Sequence, residues 1–280
     1  MRSPFVVSTD WLFAHLDDEN VSIVDGSWYL PAMNRDAKAE YDVQHIPGAV
    51  FFDIDAIADE SSGLPHALAK PKDFARAVGA LGIAHTDTIV VYDGVGLFSA
   101  ARVWWNFRIM GAAKVVILDG GLPAWIEDRL PIEAGTAPLY PKLFAPSPDR
   151  RSIASFDTVS EAVAAGDRTI LDARPNGRFR GDVPEPREGV RAGHMPGATN
   201  LPIDHLQRNG RLLPVAEIRE VLESSGVTPD EPVITSCGSG VTAAVLSLAL
   251  ETIGHPNHRL YDGSWIEWGS HPETPVAIGP

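Results

Sequence analysis

Residues 231–242 read Glu231-Pro232-Val233-Ile234-Thr235-Ser236-Cys237-Gly238-Ser239-Gly240-Val241-Thr242, and they run from a predicted strand through a glycine-rich loop into a predicted helix. The first six residues begin at a turn and become apolar and β-prone, which is typical of a short buried strand. Downstream, Val241 to Ile253 are almost entirely Ala, Leu, Val, Thr and Ser, which predicts a buried helix. The thiol of Cys237 therefore follows a strand end and precedes a helix.

Cys237 is the only cysteine of the chain, and its setting favours reactivity. At a helix N-terminus a thiol faces unsatisfied backbone N–H groups and the positive end of the helix dipole, which stabilise a thiolate or another anionic sulfur species. A lone cysteine is more commonly a small buried hydrophobe. Here, however, Gly238 and Gly240 clear side chains from around the sulfur, so we predict a reactive thiol.

Length and composition bound the class of protein. The 280 residues suffice for two domains, and the apolar content of 44% supports full-sized cores. With 23 basic and 37 acidic residues the net charge is −14, which argues against nucleic acid or an anionic membrane as a partner. One cysteine excludes an internal disulfide, as expected in a reducing compartment. Neither a signal peptide nor a membrane span is evident, so we expect a soluble, cytoplasmic protein.

The two halves of the sequence repeat each other. The segment Tyr41-x-x-x-His45-Ile46-Pro47-Gly48-Ala49 recurs in part as His194-Met195-Pro196-Gly197-Ala198. Asp119-Gly120-Gly121 recurs as Asp262-Gly263-Ser264, and the separation between these two motifs along the chain defines the repeat offset. Because each copy exceeds about 100 residues, the repeat predicts two like-folded domains rather than a solenoid.

Each half alternates short β-rich runs with helical stretches, which predicts a parallel sheet flanked by helices. The predicted strands are Val21–Val24, Thr88–Tyr92, Val115–Leu118, Thr169–Leu171, Pro232–Thr235 and Arg259–Tyr261. Prolines stiffen the connector between the halves, so we predict domains at residues 1–137 and 153–280 with a linker at 138–152. In such sheets ligands bind beyond the carboxyl ends of the strands, where Cys237 is expected.

The first half has no cysteine at the equivalent position. The repeat offset places Gly94, with Asp93 beside it, opposite Cys237. We therefore predict that the first domain keeps the architecture without a nucleophile.

The repeated segments resemble the signatures of the rhodanese-type sulfurtransferase family. The run from Tyr41 to Phe52 resembles the N-terminal signature, and Tyr261-Asp262-Gly263-Ser264-Trp265-Ile266-Glu267-Trp268 is similar to the C-terminal one. His258 stands where a small apolar residue is expected, and Val190 stands where an aromatic residue usually precedes the second copy. The resemblance covers both halves and implies an α/β tandem of two rhodanese-like domains, of which only the C-terminal one is catalytic.

The loop after the cysteine indicates the sulfur donor. Family members that use thiosulfate typically carry basic side chains at the next two positions, whereas this chain has Gly238 and Ser239. The loop resembles that of the branch that uses 3-mercaptopyruvate. This implies transfer of the donor's sulfur to Cys237 as a persulfide, release of pyruvate, and passage of the sulfur to a thiol acceptor, such as thioredoxin or a small thiol, or to cyanide. The outer sulfur would lie among the backbone N–H groups of Gly238, Ser239, Gly240, Val241 and Thr242.

A carboxylate substrate calls for arginine, because a guanidinium group binds two oxygens in one plane. The stretch from Arg174 to Arg191 holds five arginines and is rich in Gly and Pro, as in a loop that carries function. From the residues alone, a solvated loop with paired charges is an open alternative. The resemblance implies that Arg178 and Arg187 hold the carboxylate and ketone. Arg174 is expected in a structural ion pair, with Arg180 and Arg191 left to surface roles.

The resemblance also implies a hydroxyl relay through Ser239, His66 and Asp55. A hydroxyl near the substrate thiol or ketone needs a base, and the base needs an orienting carboxylate. His66 and Asp55 both lie in the half without the nucleophile. Without the resemblance, His66 would be interpreted as a surface or structural histidine.

Other activities fit the residues less well. A thiosulfate:cyanide sulfurtransferase shares the chemistry, but the loop is uncharged. A cysteine phosphatase of the related loop type needs an arginine where this chain has Ala243. A non-catalytic sulfur-binding rhodanese module is the alternative from another class, although such modules tend to lack the cysteine. The sequence has no ligand-spaced His and Cys cluster and no nucleotide-binding glycine loop, so we expect no metal and no cofactor.

Overall fold

The computed structural model describes residues 1–136 and 138–280 and contains two similar halves. Each half is built around a parallel sheet of five strands, with helices on both faces. Residue 137, the predicted last residue of the first domain, lies outside the described residues.

The first sheet has the strand order β1-β5-β4-β2-β3, and all its pairs are parallel. Its strands are β1 (Val6–Val7), β2 (Val21–Asp25), β3 (Val50–Phe51), β4 (Thr88–Tyr92) and β5 (Lys114–Leu118). Its helices are α1 (Thr9–Ala14), α2 (Ala37–Val43), α3 (Pro71–Ala80), α4 (Ala100–Ile109) and α5 (Gly121–Glu127).

The second sheet repeats this order as β6-β12-β11-β7-β8, and a two-stranded antiparallel ribbon, β9 with β10, lies outside it. The strands are β6 (Ile153–Ala154), β7 (Thr169–Asp172), β8 (Thr199–Asn200), β9 (Gln207–Arg208), β10 (Arg211–Leu212), β11 (Val233–Ser236) and β12 (His258–Tyr261). The helices are α6 (Phe156–Ala165), α7 (Asn176–Arg180), α8 (Val215–Ser224), α9 (Ala243–Thr252) and α10 (Ser264–Ser270). The six predicted strands and the alternating parallel architecture are confirmed.

Helices α4 and α9 pack against each other at the junction of the two halves. Nearly every residue of both helices is buried, and their apolar side chains join one hydrophobic core that spans both halves. A helix that is apolar on all sides must be covered on all sides. The apolar composition of 243–252 therefore reflects burial between its own sheet and the other half.

Equivalent groups of the two halves make reciprocal contacts across the junction. The Asp262 carboxylate accepts the backbone N–H of Leu68 at 2.7 Å, and the Asp119 carboxylate accepts that of Leu212 at 3.1 Å. Each aspartate thus satisfies a backbone donor of the opposite half. The aspartate of the repeated Asp-Gly motif therefore serves the junction between the halves in both copies.

The connector between the halves lies along the first half. Residues 138–149 form no helix or strand, as the prolines predict, and one short 3₁₀ turn follows at Arg150–Ser152. Phe144 is buried and packs its ring against Phe74 and Phe107. The connector is therefore anchored by core contacts as well as stiffened by proline.

Candidate active site

Cys237 is the first residue after β11, at the carboxyl edge of the second sheet. Its side chain is only 2% exposed and lies at the wall of a cavity of about 590 Å³ that both halves line. Its backbone N–H donates to the Ser264 hydroxyl at 3.2 Å, which fixes the start of the loop on α10. The thiol is therefore shielded from bulk water and open to a small molecule in the cavity.

In the thiol loop, residues 237–242, the first two backbone carbonyls are held by the start of α10. The carbonyls of Cys237 and Gly238 accept the N–H groups of Trp265 and Ile266, each at 2.9 Å, at the start of α10. Because a trans peptide points its N–H opposite to its C=O, the N–H groups that follow these carbonyls face the other way. Within residues 1–136 and 138–280, no protein acceptor takes the N–H groups of residues 238–242. They form a ring of free donors suited to an anionic sulfur.

Residues 93–99, the acidic loop, occupy the same place in the first half but carry their own anion. Asp93 is fully buried, and its two carboxylate oxygens accept five backbone N–H groups at 2.7–3.0 Å. The donors are Val95, Gly96, Phe98, Ser99 and Ala100. Each half therefore has a loop whose backbone N–H groups can bind an anion, here called a cradle. The cradle of the first half is closed, because the Asp93 carboxylate occupies it, and that of the second half is open beside the Cys237 thiol.

The prediction that Gly94 lies opposite Cys237 is wrong by one residue. Strand β4 ends at Tyr92 and β11 ends at Ser236, and each last residue pairs with the last residue of the neighbouring strand. Asp93 therefore takes the place of Cys237. The acidic loop has one residue more than the thiol loop. The repeat offset that aligns the start of α4 with the start of α9 therefore misaligns the ends of β4 and β11 by one residue.

Arg178 lies on α7 and reaches the thiol loop. Its guanidinium bonds both oxygens of Glu185, a buried carboxylate that also pairs with Arg174 at 2.9 Å. A β-carbon added at Gly238 would lie 2.9 Å from Nη2 of Arg178, closer than side chains tolerate. The glycine after the cysteine therefore leaves room for the arginine. The positive charge on this side of the thiol loop therefore comes from Arg178 of α7, because residue 238 is a glycine.

Arg174 forms the structural ion pair that the sequence predicts. It binds Asp172 through two guanidinium nitrogens, is 1% exposed, and packs over the ring of Trp265. Arg191 does not have the surface role that we expected. Its guanidinium donates to four backbone carbonyls, two in the last turn of α10 and two just after the helix. Arg180 pairs with the exposed Asp182, as a surface arginine would.

Arg187 lines the same cavity as Arg178 and Cys237. Burial holds the pKa of its guanidinium below the ordinary value, the charge of Asp55 opposes that shift, and the charge of Arg178 adds to it. Two neighbouring guanidinium groups repel each other, so an anion between them is stabilised by both. The cavity thus has one cationic wall in a chain of net charge −14.

The structure brings Ser239, His66 and Asp55 together across the junction of the halves. The Ser239 hydroxyl lies 2.9 Å from His66 Nδ1, and His66 Nε2 lies 2.8 Å from the Asp55 carboxylate. A carboxylate beside Nε2 places the proton there, so Nδ1 accepts from the hydroxyl. Hydrogen bonding to His66, opposed by partial burial, lowers the pKa of Asp55. Asp55 is 64% exposed, so water screens its influence on the imidazole.

Three residues of the site were not singled out by the sequence. Trp28 donates its indole N–H to Asp55 at 3.1 Å and stands edge-on to the His66 ring. Glu185 fixes the guanidinium of Arg178, and Arg102 reaches the thiol loop from the other half. Glu185 could have been flagged as an acid within an arginine-rich stretch. Trp28 has no sequence signal because its partners are distant along the chain, and Arg102 has none because its partners include groups across the junction.

The described part of the chain has neither a candidate metal site nor a candidate membrane span. No set of three or more His, Cys, Asp or Glu side chains there is arranged to hold a metal ion. No helix of the same residues is long and apolar enough to cross a bilayer.

Comparison with known proteins gives the family. The model of the rhodanese-like domain matches residues 8–128 and again residues 155–271. The 3-mercaptopyruvate sulfurtransferase of Escherichia coli K12 is 44% identical over 277 residues, which cover 99% of both chains. The human 3-mercaptopyruvate sulfurtransferase is 38% identical over 283 residues, which cover 98% of this chain and 95% of the human one.

A solved structure agrees with the family match. The crystal structure of SseA from Escherichia coli superposes with a TM-score of 0.87 at 43% identity, covering 93% of this chain and 98% of that one. A thiosulfate sulfurtransferase from Cricetulus griseus is also similar, with 36% identity over 98% of this chain and 95% of its own. The chain therefore belongs to the rhodanese family and carries two rhodanese-like domains in tandem.

Proposed function

We propose that this protein is a 3-mercaptopyruvate sulfurtransferase in which Cys237 carries the transferred sulfur. One observation carries the proposal: the thiol, an open ring of N–H donors and two arginines, Arg178 and Arg187, meet in one cavity. The donor is a small molecule with a carboxylate, a ketone and a thiol, which these groups complement. The 44% identity to the Escherichia coli enzyme of that name supports the same activity.

In the first step the Cys237 thiolate attacks the substrate sulfur and an S–S bond forms. The carbon–sulfur bond breaks, and its electron pair leaves with the carbon as the enolate of pyruvate. The proton of the substrate thiol moves to that carbon, so pyruvate departs and Cys237 holds an anionic persulfide. The N–H groups of residues 238–242 stabilise the negative outer sulfur, as the N–H groups of the acidic loop stabilise Asp93.

The arginines orient the donor and stabilise the enolate. Arg178, fixed by Glu185, presents its guanidinium next to Gly238, and Arg187 lines the same cavity. A carboxylate between two guanidinium groups is held in one plane, with the ketone directed toward the thiol loop. Positive charge beside the ketone oxygen lowers the energy of the enolate as it forms.

The Ser239 hydroxyl and His66 carry the proton from sulfur to carbon. His66 accepts from the hydroxyl at 2.9 Å, which leaves the serine oxygen free to take a proton from the substrate thiol. General acid–base help of this kind contributes about 10²–10⁴-fold. We therefore expect His66→Ala to lower kcat by roughly 100-fold with little change in KM. Asp55→Asn should cost less than about tenfold, because that carboxylate is exposed.

The second step returns the cysteine to its thiolate. An acceptor thiolate, or cyanide, attacks the outer sulfur, the S–S bond breaks, and Cys237 leaves with the electron pair. A small thiol or a thioredoxin-like protein is the acceptor that we propose. The net charge of −14 disfavours nucleic acid and anionic membrane as partners, and the single cysteine suits the reducing cytoplasm, where we place the protein.

The domains that we propose are residues 1–137 and 153–280, joined by residues 138–152, with only the second domain catalytic. The first domain nevertheless supplies Trp28 to the cavity wall, and His66 and Asp55 to the chain of contacts that ends at Ser239. Its acidic loop holds a carboxylate where a nucleophile would lie, so it has no open cradle for sulfur.

Thiosulfate is the second candidate donor, and the similarity to a thiosulfate sulfurtransferase keeps it in the test. Steady-state kcat/KM is measured for both donors with cyanide as acceptor, and Cys237→Ser is the control. We expect a preference of at least tenfold for mercaptopyruvate that is lost in the variant. A preference for thiosulfate would assign the other donor, and turnover of neither would indicate a sulfur-binding module.

A further inference from the structure

A second cavity, of about 260 Å³, lies in the first half at the carboxyl edge of its sheet, and we call it the first-half cavity. Asp25, the last residue of β2, and Gly94, the second residue after β4, both line it. Among the described residues it shares none with the active-site cavity: Ser27 and Tyr29 line the first-half cavity, whereas Trp28 between them lines the active site. Ligands of parallel sheets bind at this edge, and the proposed reaction makes no use of the space.

The first-half cavity is the counterpart of the active-site cavity in the internal repeat. Asp25 ends β2 as Asp172 ends β7, and each carboxylate accepts the backbone N–H of the residue two positions further on at 2.9 Å. Gly94 and Gly238 are likewise each the second residue after a central strand, and each lines its own cavity. The charged groups of the two cavities can therefore be compared position by position.

Arg35 of the first-half cavity repeats the arrangement of Arg178. Its Nε and Nη2 atoms donate to the two oxygens of Glu40 at 2.8 and 2.6 Å, as the same atoms of Arg178 donate to Glu185. It also lies beside the glycine that follows the strand, because a β-carbon added at Gly94 would stand 3.4 Å from its Nη2. Within the described part of the chain, Nη1 of Arg35 donates to no protein group. That nitrogen is available to a carboxylate in the cavity.

The carboxylate at the strand end has a counter-ion in only one of the two cavities. In the second half, Asp172 is bound by two guanidinium nitrogens of Arg174. In the first half Ser27 takes the position of Arg174, and no basic side chain of the described residues forms an ion pair with Asp25. Burial and the like charge of Asp93 raise the pKa of the Asp25 carboxyl to about 6. A buried carboxylate that lines a cavity without a counter-ion is stabilised by a ligand that brings a cation.

Size and polarity narrow the class of ligand further. The volume of about 260 Å³ lies below the roughly 300–1,000 Å³ that suits drug-sized ligands, so the ligand is small. Leu122, Pro123 and Ile126 give the cavity an apolar wall. Ile126 is 42% exposed, so the cavity is open to solvent on that side. A small molecule with a carboxylate, a cationic group and an apolar part complements all of these groups.

We propose that the first-half cavity binds a free α-amino acid with an apolar side chain, whose carboxylate pairs with Arg35 and whose ammonium group pairs with Asp25. A monocarboxylate would leave Asp25 without a counter-ion, and a simple amine would leave Nη1 of Arg35 without an acceptor. The zwitterion satisfies both groups at once. This inference does not depend on sulfur transfer, because no residue of the active-site cavity takes part in it.

The test is calorimetric titration of the protein with L-leucine at about pH 8, where the Asp25 carboxyl, with a pKa of about 6, is ionised. We expect a Kd of about 1 mM or tighter. Two probes of similar shape separate the charged groups: isocaproate lacks the ammonium group, and isoamylamine lacks the carboxylate. Each should bind at least about tenfold more weakly than L-leucine, because each loses one charge-assisted contact.

Two variants locate the binding. Asp25→Asn and Arg35→Gln should each raise the Kd for L-leucine at least about tenfold. Both should fold, because an asparagine oxygen still accepts the Ser27 N–H and because the Arg35–Glu40 pair is partly exposed. The matched control is Arg178→Ala, which removes the corresponding arginine of the active-site cavity and should leave the Kd unchanged.

The proposal is overturned if neither L-leucine nor the smaller L-alanine binds with a Kd below about 10 mM. It is equally overturned if isocaproate binds as tightly as L-leucine, or if Asp25→Asn or Arg35→Gln keeps the wild-type Kd. Loss of binding in Arg178→Ala would assign the ligand to the active-site cavity instead. Failure of the wild-type protein to turn over mercaptopyruvate would refute the proposed function, while these titrations would still decide whether the first-half cavity binds an amino acid.

Discussion

Replacing Gly238 with alanine adds a methyl group where the guanidinium of Arg178 now lies. The new β-carbon would stand 2.9 Å from Nη2, and ordinary contact begins near 3.4 Å, so the guanidinium must retreat by about half an ångström. The backbone of Gly238 does not have the positive φ that would strain an alanine. The end of an arginine moves at little cost, so the fold should tolerate the change while substrate binding suffers.

The size of the effect follows from the bonds that Arg178 would make. A hydrogen bond to a charged group contributes about 1.5–3 kcal/mol, and each 1.36 kcal/mol corresponds to a factor of ten. Loss of one bond to the substrate carboxylate should therefore lower kcat/KM for mercaptopyruvate by roughly 10- to 100-fold. Most of the loss should appear in KM, because the carboxylate is bound in both the ground and transition states. The free energy of unfolding should change by less than about 1 kcal/mol.

Steady-state kinetics on four proteins test this reasoning: wild type, Gly238→Ala, Arg178→Ala and the double variant. If alanine acts by displacing Arg178, it should have no further effect in the Arg178→Ala background. Gly177→Ala is the matched control, because a β-carbon there meets Val183 at an ordinary 3.6 Å. Additive losses in the double variant, or a normal KM for Gly238→Ala, would refute the claim that Gly238 makes room for Arg178.

Three further predictions concern the first half. Burial raises the pKa of Asp25 to about 6, so the free energy of unfolding of the wild type should fall as pH rises from about 4 to 6. In urea unfolding, the free energy of unfolding of Asp25→Asn should rise relative to that of the wild type by about 3 kcal/mol between about pH 4 and 7. A difference between the two proteins that does not change with pH would contradict this. Asp93→Asn should lower the free energy of unfolding by about 3 kcal/mol, because N–H groups around the acidic loop lose their acceptor. Its kcat/KM per folded molecule should be unchanged. Unaltered stability would refute the claim that the Asp93 carboxylate satisfies these N–H groups. Trp28→Phe should lower kcat a few-fold, because Asp55 loses one donor; a wild-type kcat would exclude a positioning role.

Periodicity and motif repetition predicted the two sheets and the place of the thiol. Both follow from local patterns: apolar runs for buried strands, and a glycine-rich turn before an apolar helix. The structure also places Ser239, His66 and Asp55 in one chain of contacts, as the family resemblance implied. The repeat offset failed inside the acidic loop, because helices can stay aligned while a loop gains one residue.

Contacts across the junction were beyond prediction from one sequence. Arg102 lies in an apolar helix and pairs with Asp262, which is far away along the chain. Trp28 and Arg191 are also defined by distant backbone or carboxylate partners. Such pairings depend on how segments that are distant along the chain pack against each other, which local propensity and periodicity do not encode.

The central claim is that Cys237 receives the sulfur of mercaptopyruvate, and the intact mass of the protein tests it most directly. Wild type and Cys237→Ser are incubated with mercaptopyruvate without an acceptor, and pyruvate is counted in the same samples. We predict that wild type gains one sulfur atom with one equivalent of pyruvate, that an added thiol reverses the gain, and that the variant gains none. A gain of sulfur by Cys237→Ser, or pyruvate release that leaves the wild-type mass unchanged, would contradict the account.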